Sequence, residues 1–407
     1  MRLFNPRKLR YARMLDTVGR QVFRLFGRSR TSGLEPLTQL TPGRILVVES
    51  HLIGDIVMAT PALRALRERF RSASIVLLSG PWGRELLDGQ GLIDEFIEIR
   101  FPWSTYDYSI GNLWRMFRVL VRLRKVRWDL AIDVRGDLRN IVFLYFAGAH
   151  RRMSYDFTGG EYLLTDVVRD APQLRHIVQY NAHLVAQLGC DVGAAEPSLH
   201  VPDTRREEAR TYLRAMDAIG DRFTIGIHPG ASKPLRLWRA ERFAELADRF
   251  LEEKGNRVIF FRGPADREII SAITAGMKHS PSIIDQSLSM LPALFQNCSV
   301  FIGLDSGGVH IAAAVGVPTV VLFGPAEPDR VMPVSRRTSV VIKDGYWCRP
   351  CDQVHCVQPD NTCMDALSVS SVYQSAIAAL NQQAIPRLNI QEHPRNINET
   401  ERPSDRQ

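Results

Sequence analysis

The sequence predicts an α/β protein made of two Rossmann-like, doubly wound domains facing a central cleft. Three observations carry this. Short aliphatic and β-branched runs alternate with longer segments of helical periodicity, the pattern of parallel sheets covered by helices. The alternation occurs twice, on either side of a Pro-containing stretch at Glu196–Asp203. The 407 residues, 45% of them hydrophobic, suffice for two buried cores.

Residues 1–43 precede the alternation as a basic amphipathic extension. Nine of the first 30 residues are Lys or Arg and one, Asp16, is acidic, so these 30 residues carry the whole net charge of +8. The balanced remainder is not a polyanion-binding surface overall, and no nucleic-acid partner is expected. Within the arm, Met14, Leu15, Val18, Val22, Leu25 and Phe26 share one helical face, with Arg13, Arg20 and Arg24 on another. That is the pattern of a helix lying on an anionic membrane. A frayed extension or a helix docked on the body would give the same pattern. Asp305, His310 and Pro318 interrupt the longest apolar stretches before they reach the roughly 20 residues of a membrane span. The first residues lack the apolar core of a secretory signal. The expectation is a cytoplasmic protein, peripheral on the inner face of a membrane.

The first domain is expected over 44–203, with strands at Ile45–Glu49, Ile75–Ser79, Phe96–Ile99 and Leu130–Val134 and helices at roughly 57–70, 111–126 and 176–189. The second is expected over 204–383, with strands near 224–228, 257–262, 282–284, 300–304 and 318–323 and a last helix at about 369–382. Residues 384–407 are polar and Pro-containing, the composition of a disordered tail.

In open parallel sheets ligands lie beyond the carboxyl ends of the strands, so the loops there hold the candidate chemistry. After the first strand, Gly54 permits a tight turn and presents Asp55 at a helix start. Asp55 reads as an N-cap or as a general base projecting into the cleft. After the fourth strand, Arg135 and Arg139 suit the phosphates or carboxylates of an acceptor; equally, they suit ion pairs with Asp133 and Asp137. The first strand of the second domain runs into His-Pro-Gly-Ala-Ser-Lys-Pro-Leu-Arg. Gly230 and Ser232 let backbone amides approach an anion, and Lys233 and Arg236 supply charge. The run Asp305-Ser306-Gly307-Gly308-Val309-His310 opens a small-residue helix whose amides suit a phosphate. Its bland reading is a Gly-Gly turn beside a core histidine.

Cys348, Cys351, Cys356 and Cys363 cluster near the C-terminus, while Cys190 and Cys298 sit in apolar segments. Four thiolates suit zinc, but the later gaps are irregular for a ribbon or finger. A reduced or redox-variable structural loop is the preferred reading, with no metal.

Taken in order, Arg44–Leu66, His228–Leu246 and Asp305–Pro325, with its Asp-Ser-Gly-x-x-His, resemble glycosyltransferase family 9, the ADP-heptose:lipopolysaccharide heptosyltransferases. The likeness spans roughly residues 44–380. It implies a GT-B fold, the acceptor on the first domain and ADP-heptose on the second, and anomeric inversion without a metal or other cofactor; the chain contains no Asp-x-Asp. It further implies that Asp55 is the catalytic aspartate and that Arg236 stabilises the departing diphosphate. Gly230, Ser232, Asp305, Ser306, Gly307, Gly308 and His310 would hold the donor. The acceptor would be an anionic, lipid-linked oligosaccharide, with Arg135 and Arg139 beside it. Glu49, His51, Arg236 and Arg239 depart from the family's usual residues, which bears on substrate choice more than on reaction type. An epimerase or hydrolase on the same fold would need a carboxylate pair or a water-activating base, and a non-catalytic sugar-nucleotide binder would need neither Asp55 nor Asp305.

Overall fold

The computed structural model describes residue 14, residues 16–24 and residues 33–381 apart from positions 106, 170, 172, 220, 352–353 and 361. The tail expected at 384–407, and Arg13, Leu15, Leu25 and Phe26 of the arm, lie outside the described residues.

Two six-stranded sheets are present. The first holds β1 (Arg44–Val48), β2 (Ser74–Ser79), β3 (Glu95–Glu98), β4 (Leu130–Asp133), β5 (Arg151–Tyr155) and β6 (Asp166–Val168), in the spatial order β3-β2-β1-β4-β5-β6. The second holds β7 (Thr224–His228), β8 (Arg257–Phe261), β9 (Ser282–Ile284), β10 (Val300–Leu304), β11 (Thr319–Phe323) and β12 (Thr338–Ile342), in the order β12-β11-β10-β7-β8-β9. All neighbouring strands in both sheets are parallel. The two windings are therefore the same, and each sheet has one switch point, between β1 and β4 or between β7 and β10.

The strands form where the sequence is apolar on both faces, because helices cover both sides of each sheet. On β1, Ile45 and Val47 pack under the helix Ile53–Arg69, while Leu46 and Val48 join Trp128 and Leu144 on the opposite face. In the second sheet, the helix Val369–Leu380 buries Val372 and Ala376 against Val320 and Leu322.

Strands β5, β6 and β12 were not expected. The first two are short and charged, and their stability comes from cross-strand pairing: Arg151 Nε on β5 donates to Asp166 Oδ2 on β6 at 2.8 Å. The helix expected from residue 57 begins at Ile53, which places Gly54 and Asp55 inside its first turn.

The lobes are in contact. The Leu199 amide, on the segment between them, donates to the Ala314 carbonyl of the second lobe at 3.0 Å, and Arg64 of the first lobe reaches Ser198 Oγ at 2.6 Å. His176 Nε2 lies 2.8 Å from the Met332 carbonyl. Residues 16–24 are helical and docked on the first lobe. Asp16 Oδ1 accepts from the Gly160 amide at 2.6 Å, and Phe23 stacks edge-on against Tyr145. Met14, Val18 and Val22 of the expected apolar face point outward and are half-exposed or more.

Candidate active site

The site is built at the two switch points, where each sheet ends in a carboxylate held by an arginine. In the first lobe the turn after β1 delivers Asp55 to the third position of the helix Ile53–Arg69. Leu52, not Asp55, caps this helix, and Asp55 reaches back so that its Oδ2 accepts from the Leu52 amide at 3.1 Å. Its Oδ1 accepts from Arg135 Nη1 at 2.7 Å, in a pair that is almost wholly buried. Burial works against ionising Asp55, but the Arg135 guanidinium and the Leu52 amide hold its carboxyl below the usual range.

Arg135 thus serves Asp55 and does not pair with Asp133 or Asp137. Arg139 does make the expected ion pair: its Nη2 lies 2.6 Å from Asp137 Oδ2, and its guanidinium lies over the Trp103 ring. Asp133 is occupied by Asn140 Nδ2 at 2.9 Å and Ser154 Oγ at 2.9 Å.

Glu49 is a second acid at this site that the sequence reading left unused. Burial pushes its carboxyl up to about 8, against the pull of Arg135 and with the repulsion of Asp55. It is therefore a neutral acid behind the ionised Asp55 at neutral pH, its Oε1 accepting from the His51 amide at 3.1 Å. Burial and Arg135 push the His51 imidazole down to about 3, so it too is neutral.

In the second lobe, β10 ends at Leu304 and the helix Gly307–Ala314 opens two residues after Asp305. The short turn of 3-10 helix Pro234–Arg236, anchored by the buried Trp238 whose Nε1 donates to the Leu367 carbonyl, aims Arg236 at this loop. Arg236 Nη1 lies 3.0 Å from both the carbonyl and Oδ2 of Asp305. Burial raises the Asp305 carboxyl above its ordinary value, with Arg236 opposing and Asp55 adding repulsion.

Ser306 is held by a relay absent from the expected set. His228, at the end of β7, places Nδ1 3.2 Å from Ser306 Oγ and Nε2 3.1 Å from Asp266 Oδ2. Asp266 in turn accepts from the Gly263 amide at 2.8 Å and packs so tightly on Gly230 that a Cβ there would clash at 2.2 Å. Gly230 therefore makes room for Asp266. Ser232 is exposed on the same loop. A histidine as the last residue of a central strand was the available signal for this relay.

The helix starts of the two lobes abut. A Cβ on Gly54 would lie 2.8 Å from His310 Cδ2, and one on Gly307 would lie 2.7 Å from Ile53 Cγ2. The expected open gap is shut at this point: Asp305 and His310 are buried beneath the first lobe, and burial pushes the His310 imidazole down to about 4. Small residues at these positions allow the close approach. Beside it, Arg135, Arg175 and Arg330 line a small cavity together with Tyr180 and Asn181. Arg175 and Arg330 come from segments with no motif, and only the fold brings them to Arg135.

Cys348, Cys351, Cys356 and Cys363 line one cavity with Tyr346 and Arg349. Among the described residues, no group of three or more His, Cys, Asp or Glu side chains is arranged to hold a metal ion. None of the described helices is long and apolar enough to cross a membrane.

A sequence model of glycosyltransferase family 9 (heptosyltransferase) matches residues 116–361, more than half of the chain. The chain belongs to this family. Among curated relatives of this family 9 glycosyltransferase, lipopolysaccharide heptosyltransferase 2 of Escherichia coli K12 is 27% identical over 324 residues, spanning 74% of this chain and 89% of that one. Lipopolysaccharide heptosyltransferase 1 of Pseudomonas aeruginosa is 23% identical over 321 residues, spanning 77% and 87%. The fold matches that of a glycosyl transferase family 9 protein from Veillonella parvula, with TM-score 0.71 at 23% identity over 86% of this chain and 100% of that one. It also matches E. coli ADP-heptose lps heptosyltransferase II, with TM-score 0.67 at 24% identity over 83% and 99%. The architecture is GT-B, and the protein is a glycosyltransferase.

Proposed function

We propose that this enzyme transfers heptose from ADP-heptose to the core of a lipopolysaccharide, inverting the anomeric centre without a metal. The observation that carries this reading is Asp55, an ionised carboxylate at the mouth of one sheet, set against the Arg236–Asp305 loop of the other. The names of the curated relatives supply the sugar and the acceptor class.

In the proposed reaction the acceptor hydroxyl oxygen attacks the anomeric carbon on the face opposite the diphosphate. The new C–O bond forms as the bond to the diphosphate oxygen breaks, and a single displacement of this kind inverts the centre. The hydroxyl proton passes to Asp55, whose low basicity suffices because the hydroxyl becomes acidic as its oxygen bonds to carbon. The electron pair leaves with the diphosphate. Arg236 and the amides at Gly307 and Gly308 stabilise the charge that develops there, as fixed donors in a site shielded from water do. Asp305 and His310 bind the donor, with Ser306 oriented by His228. The lobes part at the Gly54–His310 contact to admit it. Arg135, Arg175 and Arg330 favour an acceptor with carboxylate or phosphate groups, and Arg139 lies near enough to His51 to act on its charge.

The acceptor is lipid-linked in this reading, so the enzyme works at the cytoplasmic face of the inner membrane, with the basic N-terminal extension contributing attachment. The deciding experiment measures ADP release from ADP-heptose with and without a deacylated core acceptor. Acceptor-dependent release is expected. Release that ignores the acceptor would mean hydrolysis, and no release would leave only a binding protein.

A further inference from the structure

The helix Ile110–Arg124 has two apolar faces. Its inner face, with Met116, Val119, Leu120 and Leu123, packs on the first sheet and accounts for the helix being where it is. The outer face carries Ile110, Leu113, Trp114, Phe117 and Val121, whose spacing of three and four residues makes one continuous stripe. Ile110 is 86% exposed, Trp114 60% and Phe117 50%, and the Trp114 and Phe117 rings stack on each other at 5.5 Å. An exposed aromatic stripe of this size on a globular protein marks an interaction surface.

The charge beside the stripe selects the partner. From Ser109 to Trp128 the sequence contains no acidic residue, and Arg115, Arg118, Arg122, Arg124 and Lys125 are all exposed along the helix and its end. Arg122 is shared with Glu95 at 3.0 Å. A tryptophan-bearing apolar stripe flanked by arginines matches the boundary between the acyl chains and headgroups of an anionic bilayer, where the rings enter and the cations meet phosphate.

The surface extends beyond the helix. A groove of roughly 590 Å³ runs from Phe117 and Val121 past Arg124 to Tyr145, Phe146 and Arg152, and Phe146 is 52% exposed. Tyr145 touches Phe23 of the docked N-terminal helix, which turns Met14, Val18 and Val22 outward. At its other end the stripe reaches the acceptor side of the site, where Tyr108 lies near enough to Arg139 to act on its charge.

We propose that the outward face of the helix Ile110–Arg124, continued through Phe146 to the docked N-terminal helix, is the surface by which this enzyme lies on an anionic lipid bilayer. This rests on the reading that the acceptor is lipid-linked, since the same face ends beside the acceptor-side arginine and would present such a molecule with its sugars toward the cleft. The apolar stripe supplies insertion and the arginines supply attraction, so binding weakens with salt without vanishing.

The test is flotation of the full chain with vesicles of phosphatidylethanolamine and phosphatidylglycerol, against vesicles of phosphatidylcholine alone. Wild type is expected to float with the anionic vesicles. The pair Trp114→Glu and Phe117→Glu is expected to lower that partitioning at least tenfold while turnover on the deacylated, water-soluble acceptor stays within twofold. That turnover also reports that the variant is folded; if it is lost, the single variant Ile110→Asp, at the most exposed position of the stripe, replaces the pair with the same expectation. Undiminished flotation in a folded variant would overturn the proposal. So would a wild-type dimer that the substitutions split without affecting flotation, which would assign the face to a second copy of the chain. If wild type floats but shows no acceptor-dependent ADP release, the transferase reading fails and the docking surface stands.

Discussion

The two walls of the cleft are built alike and behave oppositely. Each presents an aspartate just beyond a switch-point strand, buried and paired with an arginine from another loop: Asp55 with Arg135 at 2.7 Å, Asp305 with Arg236 at 3.0 Å. Yet the Asp55 carboxyl is held below its ordinary value and the Asp305 carboxyl is raised above its own. Burial acts on both in the same direction. What differs is compensation. Asp55 has the Leu52 amide and Arg135 on separate oxygens, whereas Arg236 divides one nitrogen between the Asp305 side chain and its carbonyl. The lesson is that a shared architecture leaves the charge state to one or two local donors, so the walls can hold different roles.

If the walls divide the labour in this way, removing the first-lobe acid should strike turnover alone. Asp55→Ala is expected to lower kcat by about two to four orders of magnitude while donor affinity, measured by ADP titration, changes little. Near-normal turnover would remove Asp55 as the base. On the opposite wall the leaving group is charged both before and during reaction. Arg236→Ala is therefore expected to weaken ADP binding and to lower kcat, the latter by about 10² to 10³. A loss in kcat alone would make the walls more alike than proposed.

A smaller effect tests what keeps Asp55 ionised. In wild type the acid limb of kcat should lie below the ordinary carboxylate value of about 3.9, because the unprotonated form persists to lower pH. Arg135→Ala removes the main opposing charge, and the limb should move up. A pH-rate profile checks this, and an unmoved limb would show that Arg135 is not what depresses Asp55.

The smallest effect concerns stability. The Glu49 carboxyl rises from 4.5 to about 8 on folding, so its contribution to stability is largest at low pH and is lost as pH rises through that window. Glu49→Gln keeps the acceptor for the His51 amide without the charge. It should melt higher than wild type at pH 8, by about 2–4 °C for each kcal/mol relieved, with the difference fading toward pH 4. Equal melting temperatures across the range would mean that folding does not raise the Glu49 carboxyl.

The sequence was informative where the signal is local. The central strands of both sheets appear as apolar runs, and the Gly-Asp and Asp-Ser-Gly-Gly turns mark the two loops that the fold brings face to face. It was less informative for β5, β6 and β12, where short strands draw their stability from neighbours, as Arg151 does from Asp166. It also placed Asp55 at a helix cap, because periodicity indicates which turns are apolar but not where the first hydrogen bond closes. His228 was visible as a strand-end histidine; its partner Asp266 lies 38 residues on, with no motif joining them.

The order of elements, the two cores and the identity of the acids on the walls follow from the chain itself, since each depends on residues a few positions apart. The pairing of Asp55 with Arg135 joins residues 80 apart, and that of Arg236 with Asp305 joins residues 69 apart. The charge states, the convergence of Arg135 with Arg175 and Arg330, and the uncovered side of the helix Ile110–Arg124 belong to the tertiary structure. The physical reason is range: helical and strand periodicities act over a few residues, whereas burial and Coulomb interactions act over a few ångströms between groups that only packing brings together.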